Sequence, residues 1–414
     1  MSSKRKLKVL ISAYACSPKL GSEPGMGWNW IVSLGEYCEV WVITEGEFRE
    51  DIELSLKSIP HAQNIHFHYL PVSKRVRKMC WNQGDWRFYY YYRRWQKKVY
   101  ALALDLVEVN KIDLLHQLNM IGFREPGYLW KIKSIPFIWG PVGGAELMPI
   151  NFLKQAPLKL KFFMLTKNTL NFIQFRTSLR VRRATANSAF LISAVPSMQA
   201  LFEDVWGKQS VLMNETGCHT NVTAVAENRL ENDINLIWVG KFDFRKQLKL
   251  ALDVMSELKH RNNLHLHIVG GGNSVEEQLY KSYADSKHIN NITWHGKVEI
   301  NEVNRLMNKS DALFFTSIME ATSTVVLEAI QNRIPVICFD TCGFGSIIDD
   351  SVGYKVKLHD YESALKDFKL ILETLTKKEL NALSENTTLK LRENSWSTKA
   401  AVLYSYYEEL CVVQ

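Results

Sequence analysis

Residues 311–340 read DALFFTSIMEATSTVVLEAIQNRIPVICFD and carry two carboxylates, Glu320 and Glu328, in unusual company. Glu328 lies in Val325-Val326-Leu327-Glu328-Ala329-Ile330, a helical pattern that is otherwise apolar. Burying an unpaired charge costs several kcal/mol, so Glu328 requires a hydrogen-bonding partner. Glu320 stands just ahead of Ala321-Thr322-Ser323-Thr324. Small hydroxyl residues cap helix starts, so a helix is predicted to open near Ser323 and Thr324 with its N–H groups and positive dipole end directed outward. Such a terminus suits a phosphate. One carboxylate beside it and another about two turns down suit hydroxyl-rich groups on either side. A nucleotide sugar has that layout: sugar, diphosphate, ribose.

Apolar runs at 312–316 and 334–339 predict the strands that hold this helix, giving a β-loop-α-β unit. A strand over 236–239 leads into Gly240-Lys241-Phe242-Asp243-Phe244-Arg245-Lys246, ahead of a helix over 248–258. Lys241 and Lys246, five residues apart across that loop, suit a diphosphate gripped from two sides. Further strands are expected at 265–269, ending in three glycines, and at 292–295, ending in Gly296-Lys297-Val298. Beyond residue 351 the chain reads as helices, the last over 397–410.

The first half repeats the α/β plan, with strands at 8–14, 39–44, 65–70, 113–119, 136–139 and 191–195. The turn after the first strand holds Gly21, Gly25 and Gly27, with a helix predicted from near Trp28 to Tyr37. Its pattern is not G-x-G-x-x-G, so a nicotinamide or flavin reading loses its main support. His116 and Asn119 emerge toward the carboxyl end of their strand, where open α/β sheets bind ligands; a satisfied core histidine is the competing reading. Gly143 and Gly144, after the strand at 136–139, permit close backbone approach to a ligand or facing domain.

At 414 residues the chain is long enough for two ordinary domains. Seven scattered cysteines without a C-x2-C pair predict reduced thiols in a cytoplasmic protein, and the eleven histidines form no metal-ligand motif. No apolar run reaches the length of a membrane-spanning helix. Residues 1–220 hold 29 Lys and Arg against 17 Asp and Glu, so the basic excess belongs to the first half and calls for an anionic partner. Two stretches concentrate it. Residues 73–100, SKRVRKMCWNQGDWRFYYYYRRWQKKVY, read as a packed helix pair, as a surface meeting anionic lipid with Trp81, Trp86 and Tyr89 to Tyr92 at interfacial depth, or as a nucleic-acid surface whose aromatics and arginines stack on bases. Residues 151–183 read as an amphipathic helix pair, membrane-facing or acceptor-facing in the bolder version.

Glu320 and Glu328, followed by the Pro335-Val336-Ile337 strand, resemble the E-x7-E signature of the retaining glycosyltransferases of family four, in the group 1 class. The usual Gly-Phe-Gly after the first Glu is Ala321-Thr322-Ser323 here, and Lys241 stands where Arg is usual in an element whose final Lys is Lys246. The resemblance implies a GT-B fold: two Rossmann-like doubly wound domains facing each other across a cleft, with the C-terminal helix returning to the first. Domains are expected at 1–215 for the acceptor and 216–393 for the donor, with 394–414 packing back on the first. It implies that Glu320 orients the donor sugar, with His116 near the reacting sugar and Asn119 beside it. Glu328 would bind ribose hydroxyls, while Lys241, Lys246, Ser323 and Thr324 stabilise the leaving diphosphate. The nucleobase would pack against main chain near Val298, Gly25 would contact the donor, and Gly143 and Gly144 would line the acceptor side. No cofactor and no metal are expected beyond the nucleotide-sugar substrate, since the chain has no Asp-x-Asp.

The expected enzyme is a retaining, metal-independent hexosyltransferase acting on a lipid-linked or saccharide acceptor in surface polysaccharide, lipopolysaccharide or capsule synthesis. It would work in the cytoplasm, peripherally on the inner face of the cell membrane, and without nucleic acid. The alternatives are a nucleotide-sugar epimerase of the same fold and a noncatalytic lipid- or RNA-binding protein with a relic sugar-nucleotide site.

Overall fold

The computed structural model describes residues 5–82, 85–220 and 233–412. The first residues of the basic start, two residues of the 73–100 stretch and residues 221–232 at the beginning of the expected donor domain lie outside this set. The chain forms two compact units: Met1–Ala145 with Leu170–Gly217 and Trp396–Gln414, and Glu146–Thr169 with Cys218–Ser395.

In the first unit the strands are β1 (Lys8–Ala13), β2 (Glu39–Thr44), β3 (Ile65–Tyr69), β4 (Leu114–Asn119), β5 (Phe137–Val142), β6 (Phe190–Ser193) and β7 (Val211–Leu212). They pair in parallel in the order β3-β2-β1-β4-β5-β6-β7, a doubly wound sheet whose strand order reverses between β1 and β4. Successive residues of β1 face opposite layers. Val9 and Ile11 pack with Trp30, Trp396 and Tyr407, whereas Leu10 packs in the layer of Tyr92 and Trp95. A parallel strand buried on both faces is apolar throughout, which is why these runs are readable in the sequence.

The helix after β1 runs Ser22–Gly35, starting earlier than predicted. Gly21 is its N-cap, and Gly25 and Gly27 lie within it, glycine being required because a Cβ on Gly25 would sit 2.1 Å from the Leu20 carbonyl oxygen and one on Gly27 2.4 Å from that of Ala15. The expected return of the C-terminal helix is present: Trp396–Val412 packs in the first unit, with Trp30 and Trp396 edge to face at 5.7 Å and Tyr37 stacked on Tyr404 at 5.5 Å. Buried Lys399 is satisfied by the carbonyls of Asn214 and Thr216.

The second unit holds β8 (Ile234–Lys241), β9 (Leu264–Gly271), β10 (Ile292–Gly296), β11 (Ala312–Phe315), β12 (Val336–Phe339) and β13 (Gly353–Val356). All are parallel, in the order β10-β9-β8-β11-β12-β13, with the reversal between β8 and β11. The edge strand β13 replaces the helix expected just beyond residue 351; its GYKV alternates too little to announce itself. Residues 146–169, expected in the first domain, belong to the second unit. The reason is apolar: Phe152 lies edge-on to Phe339 at 5.7 Å, and Leu153 and Ala156 join the same core.

The basic aromatic stretch divides into helices Lys74–Trp81 and Arg87–Asn110. One side of these helices is core: Val76, Met79, Phe88, Tyr92 and Trp95 are buried, and the Trp95 indole donates to the Leu70 carbonyl at 2.7 Å, whereas Trp81, Trp86, Tyr89 and Tyr90 are exposed. The helix Leu158–Thr177 does the opposite. Leu158, Phe162, Phe163, Phe172 and Ile173 are exposed, with Lys159, Lys161 and Arg176 among them. Among the described residues no helix is long and apolar enough to cross a membrane.

Candidate functional site

In the second unit, β8 ends on Lys241, and the chain turns through Phe244–Lys246 before the helix Leu248–Glu257. The Lys246 ammonium meets Glu320 Oε1 at 2.8 Å, and the Ser317 hydroxyl donates to the same oxygen at 3.1 Å. Both side chains of the pair are largely enclosed, with exposures of 12% and 18%. Lys246 also lies 4.9 Å from the centre of the Phe315 ring.

The two loops are sewn together. Ile318 N–H donates to the Arg245 carbonyl at 2.9 Å, and the Thr316 hydroxyl to that of Lys246 at 2.8 Å. From the tip of β12, the Cys342 sulfur accepts the Glu320 N–H at 3.3 Å. Burial raises the Cys342 thiol pKa to about 11, against the opposing pull of that N–H and of the Thr341 hydroxyl. Glu320 is thus held by groups from the ends of three strands, at the sheet edge where its order reverses. That is where open α/β sheets bind ligands.

The helix Thr324–Gln331 opens beside it. Ser323, in extended conformation, makes no side-chain capping bond, so its hydroxyl leaves the positive end of the helix uncovered. Glu328 lies one turn further in, where burial raises its pKa and a hydrogen bond with the Thr324 side chain partly offsets the rise. Lys241 is exposed at the strand tip and enters no ion pair among the described residues. Val298 is half-buried against the core just after β10, where Lys297 Nζ bonds the Gly272 carbonyl at 3.0 Å and ties together the ends of β9 and β10.

Arg245 was not singled out from the sequence. Burial disfavours its charge, but the Asp243 carboxylate at 2.9 Å prevails and raises its pKa, with Glu320 adding to the rise. The spacing of two lysines five apart marks Lys241 and Lys246, whereas nothing in the sequence distinguishes Arg245 between them. Cys342 carried no local signal, since only the fold brings it to Glu320.

The first-unit candidates fare differently. His116 is fully buried, with Nδ1 at 2.6 Å from the Tyr407 hydroxyl and Nε2 at 2.7 Å from the Gly140 carbonyl. Burial lowers its pKa to about 4, so it stays neutral and has no nitrogen left for a substrate. The satisfied core histidine is the correct reading, and its work is to anchor the C-terminal helix. Asn119 is equally enclosed and clasps Ala15, donating to its carbonyl at 2.7 Å and accepting from its N–H at 3.3 Å. Gly25 is buried in the first turns of its helix, so packing accounts for it. Gly143 is buried and bonds to Ile121 and Phe123, whereas Gly144 is exposed at φ +84°, a conformation that favours glycine. Lys246, Glu320, Ser323, Thr324 and Glu328 therefore gather in the second unit; His116, Asn119 and Gly25 serve the architecture of the first.

Comparison with known proteins agrees with this geometry. Residues 223–390 match the family model of the glycosyl transferases group 1. No curated protein sequence matches the chain. Among solved structures, a sucrose-phosphate synthase from Thermosynechococcus elongatus superposes with a TM-score of 0.64 at 14% identity, covering 99% of this chain and 100% of that one. Anabaena HepE in complex with UDP gives 0.62 at 13% identity, covering 97% and 100%. The lipopolysaccharide outer core galactosyltransferase WaaB gives 0.63 at 14% identity, covering 96% and 98%. Both parallel sheets and their reversal points agree with these superpositions: the chain has the GT-B fold, and its segment 223–390 matches the glycosyl transferases group 1 model.

Proposed function

We propose that the protein transfers a sugar, with retention at the anomeric carbon, from a nucleotide-diphosphate donor to a hydroxyl of a lipid-linked or saccharide acceptor. The observation that carries this reading is the Lys246–Glu320 pair at 2.8 Å, set between strand tips beside the open end of the helix Thr324–Gln331. In the reaction the bond from the anomeric carbon to the diphosphate oxygen breaks, and a bond to the acceptor oxygen forms on the same face. The acceptor proton passes to the departing phosphate oxygen. Lys246, Lys241 and the helix terminus at Ser323 and Thr324 stabilise the charge gathering on the diphosphate. Glu320 fixes the donor sugar against them, Glu328 receives ribose hydroxyls, and main chain near Val298 seats the base. This chemistry assigns no step to a metal or cofactor.

The partner membrane is an anionic leaflet on the cytoplasmic side, met by the exposed phenylalanines and lysines of the helix Leu158–Thr177. Surface polysaccharide or glycolipid synthesis is the setting that such an acceptor and membrane imply. The test is a panel of nucleotide sugars with NMR of the anomeric product. Transfer with retention, lost in Glu320→Ala with the fold intact, is expected; an inverted product or full turnover in that variant refutes the reading.

A further inference from the structure

A cavity of about 610 Å³ in the first unit opens at the tips of β1, β2 and β4, beside the reversal point of that sheet. Its size falls in the range of about 300–1,000 Å³ typical of small-molecule sites. Tyr14, Glu23, Glu47, Phe48, Trp81 and Tyr89 set its character. The lining holds four carboxylates, Glu23, Glu45, Glu47 and Asp85, and no lysine or arginine among the described residues. This is opposite in sign to the first half as a whole.

Two of the four carboxylates are neutralised. Arg77 pairs with Glu45 at 2.9 Å, and Arg87 with Asp85 at 2.7 Å. Glu23 and Glu47 enter no ion pair among the described residues. Glu23 accepts the Ile121 N–H on one oxygen at 2.7 Å, and its other oxygen has no hydrogen bond among those residues. Burial, with Glu215 adding to it, raises the Glu23 pKa against the pull of that N–H, so Glu47 is the principal negative charge that no cation offsets. Burial first, and then Glu23, Glu47 and Glu45, raise the pKa of the Cys80 thiol in the same wall to about 12.

Trp81 gives the cavity its other property. The ring is 52% exposed, yet its indole N–H is held by both oxygens of Glu47, at 3.1 and 3.0 Å, and its edge contact with Phe48 measures 6.1 Å. This is a half-open aromatic surface locked in orientation, which is the opposite of a ring free to settle into lipid. Aromatic faces attract the slightly positive C–H edge of a sugar ring, and carboxylates accept its hydroxyl protons. A phosphate brought into the same space meets like charge and is disfavoured.

We propose that this cavity seats a sugar ring of the acceptor, neutral or bearing an amino group, stacked on Trp81 with hydroxyls on Glu23 and Glu47, and that it turns away phosphorylated sugars. The assignment of that sugar as acceptor rests on the transferase reading; its binding does not. The lipid phosphate of a lipid-linked acceptor then lies outside the cavity, with only the terminal sugar inside.

The experiment is saturation-transfer NMR on the full chain with the methyl glycosides of glucose, galactose, mannose and glucosamine, alongside glucose 6-phosphate. At least one methyl glycoside is expected to bind at least tenfold more tightly than glucose 6-phosphate. Trp81→Ala should weaken that binding at least fivefold and Trp81→Phe much less, while the double change Glu23→Gln and Glu47→Gln should erase the discrimination against phosphate. Binding of glucose 6-phosphate as tight as that of any methyl glycoside, or unchanged sugar binding in folded Trp81→Ala, overturns the proposal. Thermal shifts with UDP, GDP and ADP report on the donor side of the same sample. Nucleotide binding without sugar binding refutes the cavity alone; sugar binding without nucleotide binding supports the cavity and removes the transferase reading.

Discussion

Replacing either partner of the Lys246–Glu320 pair tests whether the two charges depend on one another. Both are largely but not fully enclosed, so the loss sits below the roughly 3–5 kcal/mol of breaking a fully buried pair. Lys246→Met leaves the carboxylate with the Ser317 hydroxyl and the weaker pull of Arg245, and about 2–3 kcal/mol of local stability should go. Glu320→Gln leaves the ammonium over the Phe315 ring with an amide oxygen nearby, costing about 1–2 kcal/mol. The double variant removes both charges at once and should cost about 1–2 kcal/mol, well short of the sum, giving a coupling of roughly 2 kcal/mol. Because a chain of two units need not unfold in one step, the readout is native-state hydrogen exchange of the segment spanning β11 and the helix Thr324–Gln331. Additive effects, with a coupling under about 0.5 kcal/mol, refute the pairing and with it the proposed donor grip. A nucleoside diphosphate at a hundredfold its dissociation constant should stabilise the wild type by about 2.7 kcal/mol and Lys246→Met by far less.

Three further outcomes follow from the same coordinates. His116 has a folded pKa of about 4, below its unfolded value of 6.5, so its contribution is complete above pH 6.5 and is lost as pH falls toward 4. About 3 kcal/mol of stability should disappear across that window, and His116→Gln should flatten the urea midpoint against pH. Gly270→Ala should destabilise the second unit by more than about 3 kcal/mol, since φ is +124° and the new Cβ would fall 1.9 Å from the Gly240 carbonyl oxygen; normal melting would contradict that geometry. Phe162→Ser with Phe163→Ser should reduce flotation with anionic liposomes by tenfold or more, from about 1.5–3 kcal/mol per inserted ring, whereas unchanged flotation would dismiss this helix as the anchor.

The strands of both sheets were legible because parallel strands covered on both faces are apolar for their whole length. The two that escaped, β7 and β13, are short edge strands whose half-exposed residues carry no such run. Gly25 and Gly27 misplaced a helix start because a glycine needed for contact with a neighbouring carbonyl is indistinguishable in sequence from one needed for a turn. The candidate site was legible through the spacing of Lys241, Lys246, Glu320 and Glu328, which the strand-loop-helix frame converts into proximity for Lys246 and Glu320. His116 misled for the opposite reason. Its partner Tyr407 is 291 residues away, and no local pattern records such a bond.

Tyr407 belongs to a helix that completes the first unit although it is translated after the strands of the second. When the ribosome has made the residues through Ser395, the second unit has all its strands. The first still lacks the cover over Trp30 and the hydroxyl that receives His116. The first unit is therefore complete only once the seventeen-residue helix Trp396–Val412 has been made, so a chain cut short ahead of it loses part of the unit that was begun first.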